Sequence, residues 1–143
     1  GNYAYVADVL DGIDIIDIST PSSPSLTATY NTSGVCFGVA VSGNYAYVAD
    51  GEGLQIIDIS TPSSPTLTGT YNTSGSAYGV VVSGNYAYVA DSTGGLKIID
   101  ISTPGSPSLA GTYDTSNYTI AILVGTFFHY FNTEDVTYCL NDC

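Results

Sequence analysis

Asp8, Asp50 and Asp91 each close the segment GNYAYVAD, and each leads into a short loop of varied sequence, VLDGI, GEGL or STGGL. Together with Asp11 and Glu52 they set carboxylates in turns, the oxygen-rich setting that calcium takes. These five acids are the candidate calcium ligands. The alternating acidic spacing of a dedicated calcium loop is absent, so capping of the turn by a carboxylate is the competing reading. A second set, Asp17, Asp58 and Asp100, precedes Ile-Ser-Thr-Pro in every copy. There a carboxylate accepts the backbone N–H groups of the coming turn, which makes this set structural.

Bond-making chemistry has little to work with. The chain has one histidine, no arginine and a single base, Lys97. No serine sits in the Gly-x-Ser-x-Gly elbow of a hydrolase. A glycosidase-type acid pair would have to come from the repeated loop aspartates, and identical acids in every copy serve architecture. No enzymatic activity and no catalytic residue is expected. His129, Cys139 and Cys143 do not have the spacing of a zinc site and lack a fourth ligand. Cys139 and Cys143 are the candidate disulfide, feasible if Leu140-Asn141-Asp142 turns back. Cys36 otherwise reads as a small buried hydrophobe.

Sugar chemistry has two handles. Asn31, Asn72 and Asn117 each begin an Asn-x-Ser/Thr triplet, and the first two recur in the same turn, so they are the candidate glycosylation sites. The motif is common in any Asn-, Ser- and Thr-rich chain, and a plain turn role is the alternative. Thirteen tyrosines suggest stacking on glycans. Six of them, Tyr3, Tyr5, Tyr45, Tyr47, Tyr86 and Tyr88, lie two apart within strands, which puts them on one sheet face where they pack between blades.

Charge narrows the partners. Thirteen acids against one base give a formal net charge of −12. Nucleic acid is excluded as a partner, because phosphate binding draws on clustered Lys and Arg. Anionic membrane surfaces are disfavoured on the same ground. No apolar run nears the roughly 20 residues that cross a bilayer, so no membrane insertion is expected. No signal peptide is visible, and the abrupt opening on a strand motif suits an N-terminal region that was removed or lost. A hydrophobic content of 44% with 10% charged residues describes a folded globular chain.

The elements that hold these residues follow from repetition. GNYAYVAD begins at Gly1, Gly43 and Gly84, a step of about 41 residues that suits a four-stranded propeller blade. Val, Ile, Thr and Tyr dominate each copy while Gly, Asn, Pro and Ser punctuate it, so strands are expected throughout and no helix. The unit reads as a strand ending in VVVS, a Gly-Asn turn, the strand YAYVA, the variable loop, the strand LKIID and a last Thr-rich strand. Paired prolines such as Pro62 and Pro65 take the chain out of the sheet between the last two. The expected fold is all-β: four-stranded antiparallel blades of a β-propeller. Residues 1–116 form three similar repeats, about 1–42, 43–83 and 84–116, and residues 117–143 form a degenerate fourth with a C-terminal tail, all in one continuous domain. In that fourth unit, Ile120 to Val124, Phe127 to Phe131 and Val136 to Leu140 are the expected strands.

GLQIIDIS followed by TPSSPTLTGTY and YGVVVSGNYAYVAD resembles the LVIVD-repeat family, whose namesake segment is matched by Ile13–Asp17, Leu54–Asp58 and Leu96–Asp100. The resemblance implies a secreted or surface-displayed β-propeller with no family-wide catalytic activity. About three and a half blades are too few to close a ring alone, since propellers have roughly four to eight. The ends of the array therefore need partners: other copies of the chain, another protein chain, or a missing part of the same one. The expected function is a non-enzymatic extracellular or cell-surface assembly or interaction scaffold. The alternatives are a filament subunit joined head to tail by strand donation, and an adhesion module binding calcium or glycans.

Overall fold

The computed structural model describes residues 1–123 together with the backbone of a strand at residues 129–132. These residues form thirteen strands and no helix. The first sheet holds β1 (Tyr3–Asp8), β2 (Gly12–Asp17) and β3 (Ser25–Tyr30). The second holds β4 (Gly38–Ser42), β5 (Tyr45–Ala49), β6 (Gly53–Asp58) and β7 (Thr66–Asn72). The third holds β8 (Gly79–Ser83), β9 (Tyr86–Ala90), β10 (Leu96–Asp100) and β11 (Ser108–Tyr113). The last pairs β12 (Thr119–Leu123) with β13 (His129–Asn132). Within each sheet, neighbours in sequence are neighbours in space and antiparallel, which is the meander of a propeller blade.

Local chemistry explains each joint. Ser42 pairs with Tyr45 across the two-residue loop Gly43-Asn44, and Gly43 takes φ 58°, as Gly84 does in the next sheet. The loop also anchors the far end of the third strand, because Ile59 N donates to Asn44 O at 2.8 Å. The same bond joins Ile18 to Asn2 and Ile101 to Asn85. Proline at the second position of the next turn presets its φ, and Ser64 N closes that turn on Thr61 O at 2.8 Å. The outer strands each carry one extra residue, with the register slipping at Ile15/Ile16, Ile56/Ile57 and Ile98/Ile99. A bulge at the same place in three blades is a built-in bend of the sheet.

The sheets are offset from the units that the repeated GNYAYVAD suggests. Strand Gly38–Ser42 precedes that segment in sequence but belongs to its sheet, so each blade begins with the strand at the end of the previous unit. The first sheet accordingly has three strands. In the fourth unit the first strand runs Thr119–Leu123 and the second His129–Asn132, each displaced by a residue or two from its expected span. The expected strand at Val136 to Leu140 and the Cys139–Cys143 bridge lie outside the described residues.

Two cores lie between the sheets, and both use the same positions. Tyr5, Ala7, Ile13, Ile15 and Tyr30 of the first sheet meet Val39, Ala46, Val48, Ile57 and Ile59 of the second. Tyr45, Tyr47, Ala49, Leu54, Ile56 and Tyr71 of the second meet Val80, Val82, Ala87, Val89, Ile99 and Ile101 of the third. Every blade thus has a tyrosine-rich front face and a Val/Ile back face, and each front packs on the next back. The middle sheet is covered on both sides, which is why Leu54–Ile57 is buried at four consecutive positions. The inner strands approach closely at glycine: a Cβ on Gly38 would lie 3.4 Å from Gly79 Cα, and one on Gly79 would lie 3.4 Å from Ala121 Cα.

Candidate functional site

The loop aspartates Asp50 and Asp91 are buried, and their carboxylates are consumed by the chain itself. Asp50 Oδ1 accepts the N–H groups of Glu52 at 3.1 Å and Gly53 at 3.0 Å, which shapes its own loop. Its Oδ2 accepts Gln55 Nε2 at 2.5 Å and Ser33 Oγ at 3.3 Å, the latter from the connection that precedes the sheet. Asp91 repeats the design with different donors. Its Oδ2 accepts Gly75 N at 3.0 Å, its Oδ1 accepts the Thr73 hydroxyl, and Lys97 Nζ stands 3.8 Å from Oδ2. Lys97 also donates to Gly94 O at 2.7 Å, so the one base of the chain is a structural strut. Each carboxylate therefore latches a blade to the segment that enters it.

Asp8 is the counterpart of these two in the first sheet and is exposed. Among the described residues it accepts one hydrogen bond, from Leu10 N at 3.1 Å within its own loop. Asp11 and Glu52 are exposed as well, and Ser33 Oγ reaches Glu52 Oε2 at 3.4 Å. Among the described residues no three His, Cys, Asp or Glu side chains gather as metal ligands would. The five candidate calcium ligands, Asp8, Asp11, Asp50, Glu52 and Asp91, are not gathered in threes there: each blade keeps its own acids, and protein donors meet the two buried ones.

Asp17, Asp58 and Asp100 do accept the turn, with Ser19, Ser60 and Ser102 N at 2.8 Å from the respective Oδ1. Hydrogen bonds from those serines, side chain first and backbone second, hold the three carboxyls below the usual range. Burial pushes the Cys36 thiol up to about 11, with Asp50 and Asp8 adding to the shift. The glycosylation candidates Asn31, Asn72 and Asn117 are all exposed. Thr119, which completes the third triplet, is buried, and its hydroxyl lies 2.5 Å from that of Thr115.

A groove of about 620 Å³ opens beside the first two loops, lined among others by Leu10, Val35, Phe37, Glu52 and Tyr78. Phe37 and Tyr78 hold the same place in successive repeats, and their rings meet at 4.6 Å with an interplanar angle of 52°. The back face of the first blade is uncovered among the described residues. Val6 is 43% exposed and Ile18 36%, whereas Val48 and Val89 are at 0% and Ile59 and Ile101 at 5% and 4%.

The blade design is that of a known repeat. Residues 1–32, 33–73 and 74–115 each match the LVIVD repeat. The chain belongs to the LVIVD repeat family. The matched unit coincides with one sheet of the structure, beginning at the connection that each buried aspartate latches. Among solved structures, the computationally designed Ika8 protein superposes with a TM-score of 0.70 at 14% identity, covering 87% of this chain and 38% of that one. A functionally unknown protein from Desulfotomaculum acetoxidans DSM 771 gives a TM-score of 0.44 at 13% identity, covering 87% and 59%. The chain spans less than two thirds of the length of either. No curated protein sequence matches it.

The latching partners Gln55 and Lys97 were not visible as functional positions in the LVIVD segments. The available signal was that the second residue of LQIID and LKIID varies while its neighbours hold constant, as a position facing a changing loop would.

Proposed function

We propose that this LVIVD chain is a non-enzymatic extracellular or cell-surface scaffold whose work is assembly through its blade faces. One observation carries the reading: the back face of the first blade exposes Val6 and Ile18, while the same face is sealed in both blades that have a predecessor. What seals it there is a front face rich in Tyr, Ala and Leu/Ile, so the fitting partner is another LVIVD-type blade. An acidic surface carrying hydroxyls suits a location outside the cell. Sedimentation velocity over a hundredfold range of concentration, with negative-stain imaging of the same samples, tests it. Rings, filaments or other defined assemblies are expected, and a lone compact particle throughout would defeat it.

The groove favours a second reading, adhesion to glycans. Phe37 and Tyr78 offer aromatic faces beside Glu52 and the hydroxyl of Ser33, the combination that stacks on and hydrogen-bonds to a sugar ring. A glycan array answers it, with Phe37→Ala expected to abolish any signal.

A further inference from the structure

Strands β5 and β9 each lie between two neighbours, and the inner one is held by pairs such as Val39↔Val48 and Val80↔Val89. Strand β1 pairs with β2 alone, so its other edge is open among the described residues. The equivalent of the strand it lacks is present at the far end of the molecule. Strand β12 sits against β8 as β8 sits against β4, with Ala121 at the place of Gly79 and Gly38. Its present neighbour β13 follows the expected register, Ile122↔Tyr130, but slips between Thr119 and Ala121, whereas β4–β5 and β8–β9 run unbroken. At the place of the latching aspartate β13 carries Asn132. Among the described residues, the end with an intact aspartate thus has no inner strand beside it, and the end with an inner strand has asparagine at the aspartate's place.

We propose that β1 of a second copy replaces β13 beside β12, in the register Ala121↔Ala7, Ile122↔Val6 and Leu123↔Tyr5; this rests on the assembly reading above. The exchange supplies what each end is missing. Thr115 and Asn117 stand where Thr73 and Gly75 stand in the previous blade, so the Thr115 hydroxyl and the Asn117 N–H come within reach of the Asp8 carboxylate. Thr115 now spends that hydroxyl on Asn117 O at 2.9 Å and on Thr119. Val6 and Ile18 are brought onto the front of the third blade, where Tyr86 is exposed and Ile98 half-buried. The new blade has four strands, β12 from one copy and β1–β3 from the other.

Cross-linking separates this contact from assembly of any other kind. In the full chain carrying Cys139→Ser and Cys143→Ser, one preparation bears Val6→Cys and another Ile122→Cys; the two are mixed and oxidised with diamide. A disulfide between positions 6 and 122 is expected in most of the mixed material, identified by peptide mass, and a Thr93→Cys preparation paired with Val6→Cys should give none. Assembly in sedimentation without that cross-link overturns the strand exchange and leaves the scaffold reading standing; monomers alone overturn both. Should either cysteine variant fail to fold, Asp8→Asn serves instead. Asp8 is exposed, so the melting temperature of the dissociated chain should hold while self-affinity falls by about tenfold. Unchanged self-affinity overturns the proposal.

Discussion

Lys97 Nζ lies 3.8 Å from Asp91 Oδ2, and in the preceding blade Gln55 reaches the corresponding oxygen of Asp50 at 2.5 Å. An ion pair in one blade thus stands where a hydrogen bond stands in the other. Lys97→Gln should therefore keep stability within about 1 kcal/mol, the net worth of one such hydrogen bond. Asp91→Ala leaves Gly75 N and the Thr73 hydroxyl without their acceptor and Lys97 without its ion-pair partner, and should cost about 3 kcal/mol. Urea unfolding of both variants measures the difference.

Acid should loosen the chain through its turns. Asp17, Asp58 and Asp100 have carboxyls held below the 3.8 of a free aspartate by their serines. A depressed folded value means that the contribution is complete above the unfolded value and is lost as pH falls through the folded one. The urea midpoint should drop between about pH 4 and pH 2, and Asp17→Asn, Asp58→Asn and Asp100→Asn combined should flatten that drop. A parent curve no steeper than that of the triple variant contradicts the assignment.

Gly53 starts β6 at φ 155°, and a Cβ there would lie 2.2 Å from Tyr71 O. Gly53→Ala has neither the conformation nor the space, and a loss of about 2–4 kcal/mol is expected by thermal melting. Gly43→Ala meets no neighbour and strains only φ, so it should cost about 1 kcal/mol.

Cys36 occupies the place of Ala77 and is fully buried. Cys36→Ala should shift stability by about 1 kcal/mol or less, because the next blade already packs alanine there. With Cys139 and Cys143 changed to serine, a thiol reagent at pH 8 should label the native chain only as fast as it unfolds.

Equivalent valines report what covers them. Val48→Ala should cost about 2 kcal/mol, and Val6→Ala about 0.5 kcal/mol in the dilute chain. At concentrations that support assembly the second value should rise toward the first.

The blades were legible because local and global signals agree in them: Gly43-Asn44 fixes a hairpin, Pro62 a turn, and the Ile pairs of β6 a strand covered on both sides. The role of Asp58 was legible for the same reason, since its acceptor geometry is satisfied two residues away. Capping of its own loop by Asp50 was legible as well, since Glu52 N and Gly53 N meet its Oδ1. The donors Ser33 to Asp50, and Thr73 and Gly75 to Asp91, were not, because they come from the connection that enters the sheet, and spacing along the chain carries no trace of that contact. The strand order across Gly-Asn was legible in the same way, and only the repeat bounds at Gly43 and Gly84 fall inside a sheet, between its first and second strands.

Both joints between blades are built from the same side chains, which makes them interchangeable. A duplicated segment from Ser33 to Thr73, spliced in at its own ends, would meet on either side a surface already shaped for it.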